Sequence, residues 1–83
     1  MKKITAVIAV ADDRILISFD NNESLLLDMK EKLLTARFSD LKDVTRFSAV
    51  KTDGRSIFWP GDVSISISEL MEMIATVETQ RHN

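Results

Sequence analysis

Residues 56–66 read SIFWPGDVSIS and hold the only Trp, the only Pro and one of the two Gly of the chain. Two readings fit this cluster. In the first it is structural punctuation that ends a strand and leads to a helix. Pro60 has no N–H to donate, so it stops the strand. Gly61 permits a backbone conformation closed to other residues. Asp62 is placed to accept from backbone N–H groups just beyond the turn, and Trp59 packs where sheet meets loop. In the second reading Trp59 is a stacking wall and Asp62 a polar anchor for a small ligand. Strand alternation adds a constraint, because Phe58 and Trp59 must point to opposite faces. One large aromatic then lies on an open face or under a partner, where a protein–protein contact would form. Phe58, Trp59 and Asp62 are therefore the candidate interaction or ligand surface.

Downstream, Ser66-Ile67-Ser68-Glu69 is an S-x-x-E capping box that starts a helix. Ile65 and Leu70 flank it as a hydrophobic staple. Ile67, Leu70, Met71, Ile74 and Val77 or Glu78 trace its apolar face, with Glu69, Glu72, Thr76 and Gln80 outside. Upstream, VTRFSAVKT (44–52) and RSIFW (55–59) read as two strands joined by Asp53-Gly54, the strongest hairpin signal in the chain. Taking Thr52 and Arg55 as the flanking pair sets Val50 opposite Ile57 and Ala49 opposite Phe58.

The first half reads as three more strands and a helix. KITAVIAV (3–10) is apolar on both faces, which suits a strand covered on both sides, or a central one. RILISF (14–19) aligns Ile15, Ile17 and Phe19 on one face. Asn21-Asn22 tolerates positive φ and predicts a two-residue turn into SLLLDM (24–29). Asp28 with Glu31 is a D-x-x-E cap, predicting a short helix over Met29–Ala36 with Met29, Leu33 and Leu34 on its apolar side. Phe38 and Leu41 follow in a loop and plug the core. The order is β-β-β-α-β-β-α. It predicts an α+β fold, a two-layer arrangement of an antiparallel sheet with two helices.

Length and charge narrow the function classes. Eighty-three residues make one domain, residues 1–83, with a small stability margin. There is no Cys, and the single His is His82 near the chain end, so a structural metal site, a thiolate and a disulfide are not expected. Net charge is −2 and Lys2, Lys3, Lys30, Lys32, Lys42 and Lys51 are scattered, which leaves duplex nucleic acid without its electrostatic footprint. No apolar run reaches the roughly 18–20 residues that span a bilayer. MKKITAVIAVADD resembles a secretory signal, but it is shorter than the roughly 15–30 residues such signals need. The expectation is a buried first strand in a cytoplasmic protein. Gly54 and Gly61 form no phosphate loop. Asp28 and Asp62 each have a capping or turn role, and no nucleophile–base pair is present. No enzyme activity and no cofactor are expected.

An ordered set of residues carries a resemblance. Leu16, Ile17 and Phe19 mark a strand that ends in a turn, and Asp28 closes the next. Phe38, Leu41 and Asp43 follow, then a hairpin with Phe47, Val50 and Gly54, then Ile57, Trp59, Pro60, Asp62 and Leu70. Spread over about residues 4–74, this pattern resembles the small bacterial family catalogued as domain of unknown function 2442. Two departures are a WPGD turn shorter than the usual W-P-N-G-A-D and Asn-Asn where Asp-Gly is usual. The resemblance implies the same α+β fold and a small stand-alone cytoplasmic protein. Some members carry an added helix-turn-helix, but DNA binding is not expected to carry over to this chain, and some lie beside a second small protein in a toxin–antitoxin-like arrangement.

The functional expectation is a non-enzymatic interaction or regulatory module, in a toxin–antitoxin-like pair or with another protein partner. The alternative is a small-ligand-binding domain using the Trp59–Asp62 turn. A two-fold homodimer is expected as well, since a small open sheet leaves edges with unpaired backbone groups.

Overall fold

The structure is a computed structural model that describes residues 2–73. Its strands form two antiparallel three-stranded sheets. The first contains β1 (Ile4–Val10), β2 (Arg14–Phe19) and β3 (Ser24–Asp28), in that order. The second contains β4 (Lys51–Thr52), β5 (Ser56–Trp59) and β6 (Val63–Ser66). Between the sheets run two 3₁₀ segments, Lys32–Leu34 and Ala36–Lys42, and a short helix α1 (Val44–Phe47). A second helix, α2, covers 67–73 after β6. The α+β class and the alternation of strands, helix, strands, helix agree with the sequence. Ile15, Ile17, Ile57, Ile65, Met29 and Leu70 have no exposed surface, and one apolar cluster joins residues from both sheets.

Several local expectations are corrected by polar side chains. β1 is an edge strand and is not covered on both sides, with Ile8 58% exposed. Its register shifts between Ile4 and Ala6, so Thr5 is an extra residue. This bulge lets Ile4 face the core while Val7 and Ala9 face it further along. The β2–β3 turn is longer than two residues. Phe19 N–H donates to the Glu23 carbonyl (2.9 Å), and Asn22 takes the left-handed conformation (φ 66) before Glu23.

The helix over Met29–Ala36 does not form. Asp28 accepts from Lys30 N–H (2.8 Å), as a cap should, and Met29 and Leu33 are buried. Thr35, however, donates both its N–H (3.0 Å) and its hydroxyl (2.6 Å) to the Lys32 carbonyl and adopts extended backbone. That local competition ends the turn after three residues, Lys32–Leu34, and leaves Leu34 76% exposed. Phe38 and Leu41 do plug the core, from a 3₁₀ segment and not from a loop.

Residues 44–50 are not a strand. Asp43 accepts from Thr45 N–H (2.9 Å), and Phe47 and Ser48 N–H groups reach back to Asp43 and Val44 carbonyls. This N-cap outweighs the β preference of Val44, Thr45 and Phe47. The following hairpin pairs Lys51 with Phe58 and Thr52 with Ile57, so Val50 is not opposite Ile57. Asp53 widens the turn by accepting from both Arg55 and Ser56 N–H groups (2.9 Å each). Those bonds hold its carboxyl below the usual Asp range. The shift is an even number of residues, so the inward faces are unchanged.

Beyond Trp59 the chain returns as β6, a third strand of the second half that the order β-β-β-α-β-β-α does not contain. Ser66 then accepts from Glu69 N–H (3.1 Å), which is the expected cap of α2. Ile65 and Leu70 on either side of it are fully buried. The later part of the expected helix, with Ile74 and Val77 or Glu78 of its apolar face and Thr76 and Gln80 of its outer side, lies outside the described residues, as does His82. Arg37 ties the 3₁₀ segment to this end of the fold. Its guanidinium donates to the Ser64 carbonyl (2.6 Å) and to both carboxylate oxygens of Glu69. The bidentate bond lowers the Glu69 carboxyl and raises the Arg37 guanidinium relative to their ordinary values.

Replacing Ser66 by Ala removes the cap acceptor and should cost about 1 kcal/mol. In a domain this small, the thermal midpoint should fall by several degrees. Calorimetry of the two proteins checks this, and an unchanged midpoint would place the start of α2 elsewhere.

Candidate functional site

The stretch that contains Trp59 is a hairpin turn between two strands. Trp59 pairs with Val63, which leaves Pro60, Gly61 and Asp62 as the connection. Gly61 (φ 92) and Asp62 (φ 65) both take positive φ, a conformation that Gly and Asp supply most cheaply. Asp62 is exposed, and its carboxylate makes no hydrogen bond among the described residues. Among the described residues Asp62 does not accept from backbone N–H groups as expected; its contribution to the turn is its left-handed backbone (φ 65).

Trp59 points inward. It is 2% exposed and lies edge-on to Phe38 (73° between rings) and stacked on Phe47 (27°), with 6.4 Å between centroids in each pair. Its indole N–H donates to the Phe47 carbonyl (2.9 Å) within the core. The ring therefore has neither a free face nor a free donor for a ligand. Phe58, on the opposite face of β5, is half-buried beside Lys51 and Ser64. An open depression of about 450 Å³ lies at this turn, lined by residues 58–64. All three residues named from sequence line this depression, Phe58 half-buried, Asp62 exposed and Trp59 2% exposed.

A second surface was not singled out in the sequence. Ile8 pairs with Leu16, and Leu16 pairs with Leu26. These three side chains form one apolar row across the outer face of the first sheet. Ile8 is 58% and Leu26 50% exposed, and Leu16 is half-buried between them. Ala6, Ser18 and Ser24 border the row on one side, and Val10, Arg14 and Asp28 on the other. The signal was present: TAVIAV and SLLLD have apolar residues at both parities, and the even positions cannot face the core when the odd ones do. In residues 3–10 the same two-sided apolar pattern also fits a strand covered on both faces, which is why the row is not evident there.

Chemistry-bearing groups are dispersed. Among the described residues no three or more His, Cys, Asp or Glu side chains gather as a metal site would require. The perturbed carboxyls Asp53 and Glu69 serve a turn and an ion pair. Glu23 is likewise lowered by Lys2 and Asn21 on the surface. No helix of the described residues is long and apolar enough to cross a membrane.

Gly61→Ala adds a methyl that meets no atom within 4 Å, so its cost is conformational alone. At φ 92 that cost should be about 1 kcal/mol. Asp62→Asn keeps the left-handed preference and should leave stability unchanged within about 0.5 kcal/mol. Paired chemical-denaturation curves check both. Equal stability of Gly61→Ala and wild type would refute this turn geometry.

No curated protein and no solved structure matches the chain. The residues that carry its ordered sequence pattern are now placed: Ile17, Phe19, Phe38, Leu41, Phe47, Val50, Ile57, Trp59 and Leu70 in the core, Leu16 half-buried on the outer face of the first sheet, and Asp28, Asp43, Gly54, Pro60 and Asp62 at caps and turns. A family comparison agrees with that pattern over residues 4–76, and the chain belongs to the family described as protein of unknown function DUF2442.

Proposed function

We propose that the protein is a non-enzymatic interaction or regulatory module whose partner is another protein. The observation that carries this reading is the Ile8–Leu16–Leu26 row on the outer face of the first sheet. Three aliphatic side chains aligned across a solvated sheet face lose contact with water only if something covers them. On β2 and β3 the flanking rows supply a polar rim of Ser18, Ser24, Arg14 and Asp28, while their β1 members are Ala6 and Val10; a polar rim is the arrangement found around apolar interface centres. A protein partner of toxin–antitoxin-like kind fits this surface, as does any regulated protein with a complementary apolar strip. A cytoplasmic location is part of the same reading.

The alternative, a small ligand held at the Trp59–Asp62 turn, has less support. The depression there is open, and the Trp59 ring and N–H are committed to Phe38 and Phe47. Phe58 and Asp62 remain to contact a ligand.

Affinity capture from the native host, with the bound protein identified by mass, separates the readings. A stoichiometric partner should be retained by wild type and by Asp62→Asn and lost by Ile8→Lys, since Ile8 is exposed and its replacement should leave the fold intact. Capture that survives Ile8→Lys would overturn the surface assignment. A small molecule bound by wild type and lost in Asp62→Asn would favour the alternative.

A further inference from the structure

We infer that two copies of this chain pair through the free edge of β3, in one antiparallel register centred on Leu26. Three of the four strands at sheet edges carry a device that discourages pairing. β1 has the bulge at Thr5, and its first N–H, on Ile4, donates to the Gly54 carbonyl (3.0 Å). β4 is two residues long and exposes Lys51. On β6 the Ser64 carbonyl is taken by the Arg37 guanidinium. β3 has none of these, and from Ser24 to Met29 the chain contains no Lys, Arg or Pro.

The backbone of β3 fixes which groups are available. The Glu23 carbonyl accepts from Phe19 N–H, and Met29 N–H donates to the Asp13 carbonyl. Residues 23 and 29 therefore turn their backbone groups toward β2. By the alternation of an antiparallel ladder, Leu25 and Leu27 do the same. Ser24, Leu26 and Asp28 must turn their N–H and C=O groups away from β2, toward the open side. No hydrogen bond to these outward groups is formed within the described residues.

A second β3, related by a two-fold axis through Leu26, satisfies all of them. Leu26 then lies opposite Leu26 of the other copy, and Ser24 opposite Asp28 in both directions. Each such pair exchanges two backbone hydrogen bonds. The side chains agree with this register. Leu25 faces Leu27 on the core side, where Leu25 is only half-buried in one copy. The Ser24 hydroxyl can donate to the facing Asp28 carboxylate. The two Asp28 side chains sit at opposite ends of the shared ladder, four residues or about 13 Å apart, beyond the range of strong repulsion in physiological salt. Centring the axis on Leu27 would put Leu26 against Asp28. Centring it on Leu25 would leave Leu27 and Asp28 unpaired within β3. Only the Leu26 register uses the whole strand.

Pairing in this way continues one sheet through both copies. It also joins the two Ile8–Leu16–Leu26 rows end to end across the axis. The edge contact goes beyond the proposed function and does not depend on it, because a dimer can form by β3 whether or not the outer face binds another protein.

Sedimentation equilibrium on wild type, Leu26→Lys and Ile8→Lys from micromolar to near-millimolar concentration tests the inference. Leu26 is half exposed, so the lysine should be accepted by the monomer while setting two like charges face to face in the pair. Wild type and Ile8→Lys should reach the mass of two chains and Leu26→Lys should remain at one. Amide exchange of wild type gives an independent readout that needs no variant. The N–H groups of Ser24, Leu26 and Asp28 should exchange about tenfold or more slowly at high concentration than at low. A wild-type mass of one chain throughout would overturn the pairing, as would a dimer that survives Leu26→Lys or shows no added protection at these amides. A dimer lost in Ile8→Lys and kept in Leu26→Lys would mean that the outer face is the self-contact.

Discussion

The hydrogen bond from the Trp59 indole to the Phe47 carbonyl is the contact on which the second half of the fold depends. It joins the end of β5 to the end of α1, and the ring fills the space between Phe38 and Phe47. Three chain segments are thus referred to one side chain. The carbonyl it satisfies lies at a helix end, where backbone acceptors have no intrahelical partner. In a buried setting, losing the N–H would leave that acceptor unpaired at a cost of about 1–3 kcal/mol, before any cost of the emptied volume. For a domain of this size that is a large share of total stability.

The same geometry explains why the surface around the turn is built as it is. With Trp59 drawn inward, Phe58 must face outward, and Pro60, Gly61 and Asp62 must reverse the chain in three residues. Two consecutive positive φ values achieve the reversal and return β6 beside β5. β6 in turn positions Ser66 to cap α2 and Ser64 to receive Arg37. The rare residues of the turn are therefore accounted for by folding. The surface that remains unexplained by folding is elsewhere, on the outer face of the first sheet.

How far the sequence could be read depended on which force acted locally. Apolar alternation was dependable in β2, where Ile15, Ile17 and Phe19 share one buried face as expected. The Ser66 cap was legible because side chain, spacing and apolar stripe all agreed. Expectations failed where one short polar side chain redirected the backbone. Thr35 ends a helix that Met29, Leu33 and Leu34 would otherwise continue, and Asp43 starts one among β-preferring residues. Asp53 captures two N–H groups and lengthens a turn that Asp-Gly alone would close in two residues. Of the site, the facing of Phe58 and Trp59 was legible, and which of them was buried was not, since that follows from contacts with Phe38 and Phe47 across the chain. β6 was hidden because V-S-I-S alternates over only four residues and overlaps the helix start.

Trp59 is the only tryptophan, so its fluorescence reports on this one position. The most direct test of the account is the emission spectrum of the native protein with an aqueous quencher added. A ring that is 2% exposed and hydrogen-bonded inside the core should emit at short wavelength, resist quenching, and shift to long wavelength with full quenching only on unfolding. Native emission already at long wavelength, with quenching equal to that of the unfolded chain, would contradict it.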